Sequence, residues 1–391
     1  MIIKNCRVCN NSRISTVIDL GNQPLANNLE ENLKKKSKIY PLKVKFCNIC
    51  CNCQLSVAVD HNILFKKYFY KTSTSASLVS HFDIASKKYL KKKIINKNSI
   101  VVDIGSNDAS FLKSCKKIGI KNLIGIEPAK NFKPIYKKEK IKMINSFLNY
   151  SATKDLKNSV NLITASNVFA HVDNINQMAM YMSYMLKQKG VIVIEVQYLP
   201  KMITDLIFDN IYHEHVNYWS LISLNYFFNK FNLKVFDYEN INTHGGSIRV
   251  YISKDKEKKI TKRFLAGIKK EKELKVNKKK FYLKFNNLIE NKKIKAKNFF
   301  SKLKNKKVVG YGAPAKATVT LNYYNISKYF SYIIDDNKLK KNKFIPGTKI
   351  QIKDKFLKKE ETTVVMAWNY FNEIKKKIKN NTKKILNIRN L

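Results

Sequence analysis

From residue 98 to residue 200 the chain alternates unbroken apolar runs with longer stretches whose apolar positions recur at helical spacing. The runs are SIVVDIGSN, NLIGIEPA, VNLITASNVFAHV and KGVIVIEVQYL. Such runs predict buried strands, and the helical stretches between them predict a parallel, doubly wound sheet. LKVFDYENINTHGGSIRVYISK reads as two extended segments joined at THGGS, an antiparallel edge. Residues 256–306 carry mostly Lys and Glu with periodic Phe, Leu and Ile, which predicts a helical connector. The rhythm then restarts in KKVVGYGAPAKATVTLNYY and continues through YFSYIIDDN, TTVVMAWNY and KKILNIRNL, predicting a second, smaller α/β unit. Residues 60–94 read as a loop followed by an amphipathic helix, and residues 1–60 read as irregular.

A length of 391 residues suits two or three domains, and a hydrophobic fraction of 44% is enough for real cores. No apolar run approaches the ~18–20 residues that span a bilayer. The first residues, MIIKNCRVCN, lack a charged-then-apolar leader pattern, so a soluble cytoplasmic protein is expected, monomeric or homodimeric.

The formal charge of +48 points toward nucleic acid or an anionic membrane. The residue types argue otherwise. Arginine, the residue suited to phosphate and base recognition, occurs only at 7, 13, 249, 263 and 389. The lysines spread along the whole chain, which reads as a solvated surface that attracts an anionic substrate. No nucleic-acid or membrane partner is expected. A nucleic-acid-binding protein using the basic surface is the competing reading, and the lack of a basic, aromatic strip counts against it.

Six of the seven cysteines fall within residues 1–53. Clustered C-x-x-C pairs in a cytoplasmic chain read as metal ligands rather than disulfides. Cys6/Cys9 and Cys47/Cys50 supply the four soft ligands of a tetrahedral zinc, which leaves no open position and makes the metal structural. The run CNICCNC creates an ambiguity, because Cys50/Cys53 is also a C-x-x-C pair. Cys51 and Cys53 are taken as surplus thiols.

VVDIGSNDASFL ends a strand and opens a helix. Asp103 and Gly105 resemble the D/E-x-G-x-G loop of enzymes that use S-adenosylmethionine (SAM), with Asn107 or Ala109 where a later glycine is expected. Fewer than three glycines disfavours a dinucleotide. Glu127 ends the next strand, where a carboxylate can accept both ribose hydroxyls.

YHEHVNYWS places two histidines around one glutamate. It is not the H-E-x-x-H of zinc proteases, since Asn217 stands where the second histidine belongs. His213 and His215 would share a face if extended, but nothing nearby completes a metal site. A hydrogen-bonded turn and a proton-handling site both remain. His171, in FAHVDN, closes a strand at the carboxyl edge, where ligands of α/β folds sit. His61, His81 and Cys115 read as structural.

The chain resembles the zinc-containing, SAM-dependent C-methyltransferases of nucleotide-activated deoxysugars, typified by the sugar C-3 methyltransferases. The matching pieces are the two C-x-x-C pairs, LGNQPLANN, YFYKTSTSAS, VVDIGSNDASFL, IGIEP, SNVFAHVDN, YHEHVNYWS, HGGSIRVY, GYGAPAKATVTLNY, IIDDN and FIPGT, in order along essentially the whole chain. The departures are Ala109, where the family has glycine, and the extra thiols Cys51 and Cys53.

The resemblance implies an α/β fold. It has a zinc-binding module (1–65), a class I, Rossmann-like SAM methyltransferase domain (66–255), a helical connector (256–304) and a smaller Rossmann-like α/β domain (305–391). It implies that a proton α to a ketone is removed and the enolate methylated, with O-methylation as the competing outcome. His215 is then the general base, Tyr212 orients it or stabilises the enolate, and Glu214 holds substrate or tunes the histidine. His171 lies beside them. Tyr70, Ser73 and Ser75 would cover the SAM pocket, with Asp103, Gly105, Asn107, Glu127, Pro128 and Asn167 as further cofactor contacts. His244 and Gly245 would line the sugar site. In the second α/β unit, Gly310, Tyr311 and Gly312 lead into a helix whose N-terminus suits a diphosphate. Lys316 would reach the anion, and Asp335 and Asn337 the ribose or base, so the expected partner is a nucleotide-diphosphate sugar.

Overall fold

The computed structural model describes residues 2–34, 37–60, 63–64, 71–303 and 306–391, without the side chain of His244. Its strands form three sheets.

The first sheet overturns the expectation of an irregular N-terminus. It contains β1 (Ile14–Pro24), β2 (Ile39–Cys47), β3 (Cys53–Leu55) and, from far along the chain, β9 (Asn217–Tyr218), in the order β1-β2-β3-β9. β2 alternates cleanly, with Leu42, Val44 and Phe46 inward and lysines between them. β1 hides its period, because its register against β2 shifts between Thr16 and Ile18 and again between Asp19 and Asn22.

The central sheet contains β4 (Ile100–Ile104), β5 (Asn122–Ile126), β6 (Lys142–Ile144), β7 (Val160–Ser166), β8 (Leu186–Gln197), β10 (Lys234–Ile241) and β11 (Ser247–Ser253). The order is β10-β11-β8-β7-β4-β5-β6. β4 to β8 run parallel and the β10–β11 hairpin is antiparallel, as the apolar runs and the THGGS turn predict. Both faces are covered. Ile192, Ile194 and Val196 enter one apolar cluster, while Val191 and Val193 enter another beneath the helix Ala76–Lys91.

The third sheet contains β12 (Val308–Tyr311), β13 (Phe330–Ile334), β14 (Gln351–Lys353), β15 (Glu360–Val365) and β16 (Thr382–Asn387), all parallel, in the order β14-β13-β12-β15-β16. The connector is two helices, Lys262–Glu273 and Lys279–Ser301. Tyr282, Phe285, Ile289, Ala296 and Phe300 form the buried face of the longer one. That face joins β1, β2, residues 199–211 and one side of the third sheet in a single apolar cluster. The N-terminal module is tied directly to the elements around the third sheet, by the Thr318 hydroxyl of the helix Ala315–Tyr324 donating to the Ala26 carbonyl at 2.9 Å and by a bridge between Glu30 and Phe344. Among the described residues, no helix is long and apolar enough to cross a membrane.

Candidate active site and metal centre

The sulfurs of Cys6, Cys9, Cys47 and Cys50 lie within 4.8 Å of one another, with Cys6–Cys50 and Cys9–Cys47 each at 3.5 Å. A tetrahedron with Zn–S bonds of ~2.3 Å has edges of about 3.8 Å, so the four thiols fit zinc. The residue after each pair, Asn10 and Cys51, is left-handed, at φ 59° and 58°. Each chain turn thereby brings its two sulfurs to the same side. Cys53 is excluded. It lies in β3 opposite Phe46, with its thiol beside Tyr282 in a different apolar cluster. The zinc would hold the two turns together with no position left for substrate. Among the described residues this is the only cluster with metal-ligand geometry.

The loop from β4 to the helix Ser110–Lys117 is unusual in its backbone. Gly105, Asn107 and Ala109 all have positive φ, at 63°, 50° and 59°. Ala109 therefore holds a left-handed conformation that glycine adopts freely and alanine seldom does. Glu127 braces the loop, accepting from the Asn107 N–H at 2.8 Å and the Ala129 N–H at 2.9 Å. Each carboxylate oxygen keeps a further lone pair for a ribose hydroxyl. Burial pushes the Glu127 carboxyl up, and pushes Asp103, bonded to the Thr164 hydroxyl at 2.6 Å, up to about 7. Residues 72–75 lie over the loop. Asn107 Oδ1 accepts from the Thr72 N–H at 3.0 Å, and Asp108 Oδ2 from the Ser73 N–H at 2.9 Å. Ser75 caps the helix that follows. Asn145 donates to the carbonyls of Glu127 and Pro128. Asn167, left-handed at φ 57°, donates its N–H to the Glu195 carbonyl. Tyr70 and His61 lie outside the described residues. Acid, covered loop and sheet edge together fit the ribose and amino-acid ends of SAM.

The YHEHVNYWS stretch divides its two histidines. His213 is buried against Tyr40, with ring centroids 5.8 Å apart, and burial lowers its pKa to about 4. His215 faces the site instead. Its Nδ1 lies 2.9 Å from the Asn210 carbonyl, and its Nε2 lies 3.0 Å from the Tyr212 hydroxyl. A carbonyl only accepts, so Nδ1 carries the hydrogen and, in the neutral ring, Nε2 carries the lone pair. The His171 ring stands edge-on to His215, with centroids at 4.8 Å. Asn217 makes that neighbour possible. Its N–H donates to the Ala170 carbonyl at 3.0 Å and its side-chain amide to the Val172 carbonyl at 2.9 Å, clamping the His171 turn. The same turn carries Val168, which packs so closely on Gly105 that a Cβ there would come within 2.4 Å of Cγ2. A line of contact thus runs from the cofactor loop through Val168 and His171 to His215. Glu214 accepts from Asn27 at 2.6 Å, and burial pushes its carboxyl up to about 7.

The third sheet meets this site at its carboxyl edge. Strand order reverses between β12 and β15, the switch point where α/β sheets hold ligands. Gly312, at φ 90°, passes against Ala367, and Gly310 lies inside β12 under Ile333. Lys316 Nζ sits 4.2 Å from the Trp368 ring centroid and 3.1 Å from Asn369 Oδ1. Asp335 is already engaged by the Ala313 N–H, Lys340 and the Asn337 N–H, and Tyr311 donates to Asp336. Trp368 donates to Asp209 Oδ2 at 2.6 Å, and Gly245, at φ 89°, lets the THGGS turn approach the same indole. Asp209 precedes Asn210, so this one bond ties the switch point to the carbonyl that holds His215.

Asn27, Asp209, Asn210, Asn217 and Trp368 were not anticipated from the sequence. Of the five arginines, Arg7, Arg249 and Arg263 form ion pairs with Asp173, Glu195 and Asp237.

Family models match in three consecutive stretches. The descriptions are "Putative zinc binding domain" at residues 6–65, methyltransferase domain at 83–238, and C-methyltransferase C-terminal domain at 242–386. C-methyltransferase NovU of Streptomyces niveus is 26% identical over 384 residues, covering 95% of this chain and 91% of that protein. Among solved structures, the PH0226 protein of Pyrococcus horikoshii is 12% identical and covers 50% of this chain and 99% of its own, at a TM-score of 0.39. The 1,6-didemethyltoxoflavin-N1-methyltransferase of Burkholderia thailandensis is 10% identical and covers 52% and 96%, also at 0.39. The chain thus carries, in order, the zinc-binding, methyltransferase and C-methyltransferase C-terminal domains, and is similar over nearly its whole length to a C-methyltransferase: it is a SAM-dependent methyltransferase with a zinc-binding module.

Proposed function

We propose that the protein methylates carbon next to a ketone in a nucleotide-linked deoxysugar, with His215 as general base. The observation that carries this reading is the fixed tautomer of His215. Nδ1 is held by the Asn210 carbonyl, which leaves Nε2 as a neutral base beside the Tyr212 hydroxyl.

A carbon acid needs both a base and a means of stabilising charge on oxygen. His215 Nε2 takes the proton from the carbon α to the carbonyl, the C–H pair forms the enolate C=C bond, and the carbonyl π pair moves onto the ketone oxygen. Tyr212 orients the ring and offers its hydroxyl to that oxygen, and His171 borders the same space. Positioned proton transfer is worth roughly 10²–10⁴ in rate. SAM, when bound, supplies an electrophilic methyl group. Asp103, Gly105, Asn107, Glu127, Pro128 and Asn167 would hold it, with Ser73 and Ser75 covering it. Glu214, whose carboxyl burial pushes up to about 7, holds a sugar hydroxyl. Gly245 lines the sugar site. Gly310, Tyr311, Gly312, Lys316, Asp335 and Asn337 form or brace the nucleotide pocket at the switch point. In this reading the domains divide at 65, 255 and 304.

The test is incubation of the full chain with SAM and a panel of nucleotide-linked 4-keto sugars, followed by mass spectrometry and NMR. The expected product gains one methyl on a carbon adjacent to the keto group. A methyl found on oxygen, or no product from any member of the panel, overturns the reading.

A further inference from the structure

Arg7 stands between Cys6 and Cys9, inside the first metal turn, yet its side chain runs out of that turn toward the two histidines of the site. The guanidinium has two arms in use. Its Nε donates to Asp173 Oδ1 at 2.5 Å, and its Nη1 donates to the Leu55 carbonyl at 2.6 Å. Asp173 lies two residues beyond His171, in the same FAHVDN turn. The Leu55 N–H donates to the Val216 carbonyl at 3.0 Å, and Val216 follows His215. One arm is therefore laid on the turn that carries His171, and the other on the residue that binds the neighbour of His215. The two rings stand edge-on with centroids 4.8 Å apart.

The backbone of Arg7 is held as firmly. Its N–H donates to Gln54 Oε1 at 2.8 Å, and its carbonyl accepts from the Asn176 side chain at 2.6 Å. Gln54 in turn donates to the Cys6 sulfur at 3.0 Å, so one carboxamide joins a metal-ligating sulfur to the arginine. The Arg7 side chain is 4% exposed and that of Asp173 46%. An ion pair with one partner half in water adds little to stability, while taking a guanidinium out of water is costly. Stability alone therefore does not account for burying an arginine here. Its shape does account for it. A planar guanidinium holds two oxygens in fixed directions, whereas a lysine ammonium is a single point charge.

We propose that Arg7 is a positioning residue of the methyl-transfer site, setting His171 against His215 from within the metal turn. The part these histidines play in proton transfer rests on the function proposed above; the positioning itself does not. Arg7 acts through Asp173 and Leu55 rather than on substrate. Asn217 already clamps the His171 turn at Ala170 and Val172, and Arg7 adds a third point at Asp173.

The test compares the zinc-loaded full chain with Arg7→Lys and Asp173→Ala. Elemental analysis and cooperative thermal unfolding report zinc content and folding. Asp173 is half-exposed, so its variant decides the matter where Arg7→Lys fails to hold zinc. The first readout needs no substrate. Histidine ring NMR signals, assigned with His171→Gln and His213→Gln, should move for His171 in both variants and stay in place for His213, which is buried against Tyr40. The second readout is steady-state kinetics with the acceptor that is methylated. A misplacement of ~1 Å costs roughly a hundredfold, so kcat falls roughly ten- to a hundredfold while KM stays near the wild-type value. In a His171→Gln background neither variant causes a further loss. His171 signals that stay unmoved in Asp173→Ala overturn the proposal, as do equal movements at His213 or losses that add to that of His171→Gln. His171 signals that move as expected, in a protein that methylates no nucleotide sugar, leave the role of Arg7 standing and remove the function proposed above. Carbon methylation of a nucleotide-linked keto sugar with His171 unmoved does the reverse.

Discussion

The Tyr212 hydroxyl lies 3.0 Å from Nε2 of His215, while the other nitrogen of that ring is occupied by the Asn210 carbonyl at 2.9 Å. The imidazole is thus pinned at one end and answered by a hydroxyl at the other. The backbone contact fixes the tautomer, and the side-chain contact sets the direction in which the lone pair points.

Changing His215 to Asn removes the proposed base and leaves the loop proposed to hold SAM untouched. Turnover falls by roughly 10²–10⁴, while SAM affinity measured by calorimetry stays at the wild-type value. Solvent deuterium entering the sugar carbon in the absence of SAM reads the proton transfer alone, and it disappears in the same variant. Near-normal turnover in His215→Asn eliminates this residue as the base.

Tyr212→Phe keeps the ring and removes one hydrogen bond, worth about 1 kcal/mol net in the resting site. The effect on kcat exceeds the corresponding ~fivefold if the hydroxyl also serves the enolate oxygen. Steady-state kinetics separates the two roles: a kcat loss of only that size leaves Tyr212 as an orienting residue.

His213, one residue from the base pair, governs acid stability rather than chemistry. Burial lowers its pKa from 6.5 to about 4. The unfolded chain therefore binds a proton in that interval and the folded chain does not. Stability contributed by the neutral buried ring is complete above pH 6.5 and declines as the pH falls toward about 4. The total is roughly 3 kcal/mol. Urea unfolding of wild type and His213→Gln across this interval should show the gap between them narrowing as the pH drops. A gap that stays constant assigns the acid sensitivity to other groups.

Much of this architecture was legible in the sequence, because strands buried on both faces write themselves as apolar runs. The turn from β4 into the helix Ser110–Lys117 was legible for the same reason, since Asp103 and Gly105 follow the run of β4. Ala109 obscured it only because alanine seldom takes a left-handed conformation, which the structure nevertheless requires there. The N-terminal sheet was hidden by the two register shifts in β1. The supports of the base were hidden for a different reason. A backbone carbonyl such as that of Asn210 has no side-chain signature, and Asn217 meets its partners at Ala170 and Val172 only after folding. Asp209 and Trp368 likewise lie far apart in sequence, so their bond could not be read from local pattern.

The zinc centre should act on the reaction through the sheet it stabilises. Cys47 ends β2, Cys50 closes the following turn, and β3 begins at Cys53 and pairs with β9, which lies two residues beyond His215. A metal that fixes the turn therefore fixes the strand against which the catalytic stretch is laid. Cys50→Ser removes a ligand, so the purified chain should hold less than one zinc by elemental analysis, unfold at a lower temperature and lose turnover. Cys53→Ser changes a thiol beside Tyr282, outside the cluster, and should retain a full equivalent of zinc with only a modest loss of stability. The reverse ranking, with zinc kept in Cys50→Ser and lost in Cys53→Ser, would move the fourth ligand to Cys53 and break the link drawn here between the metal and β9.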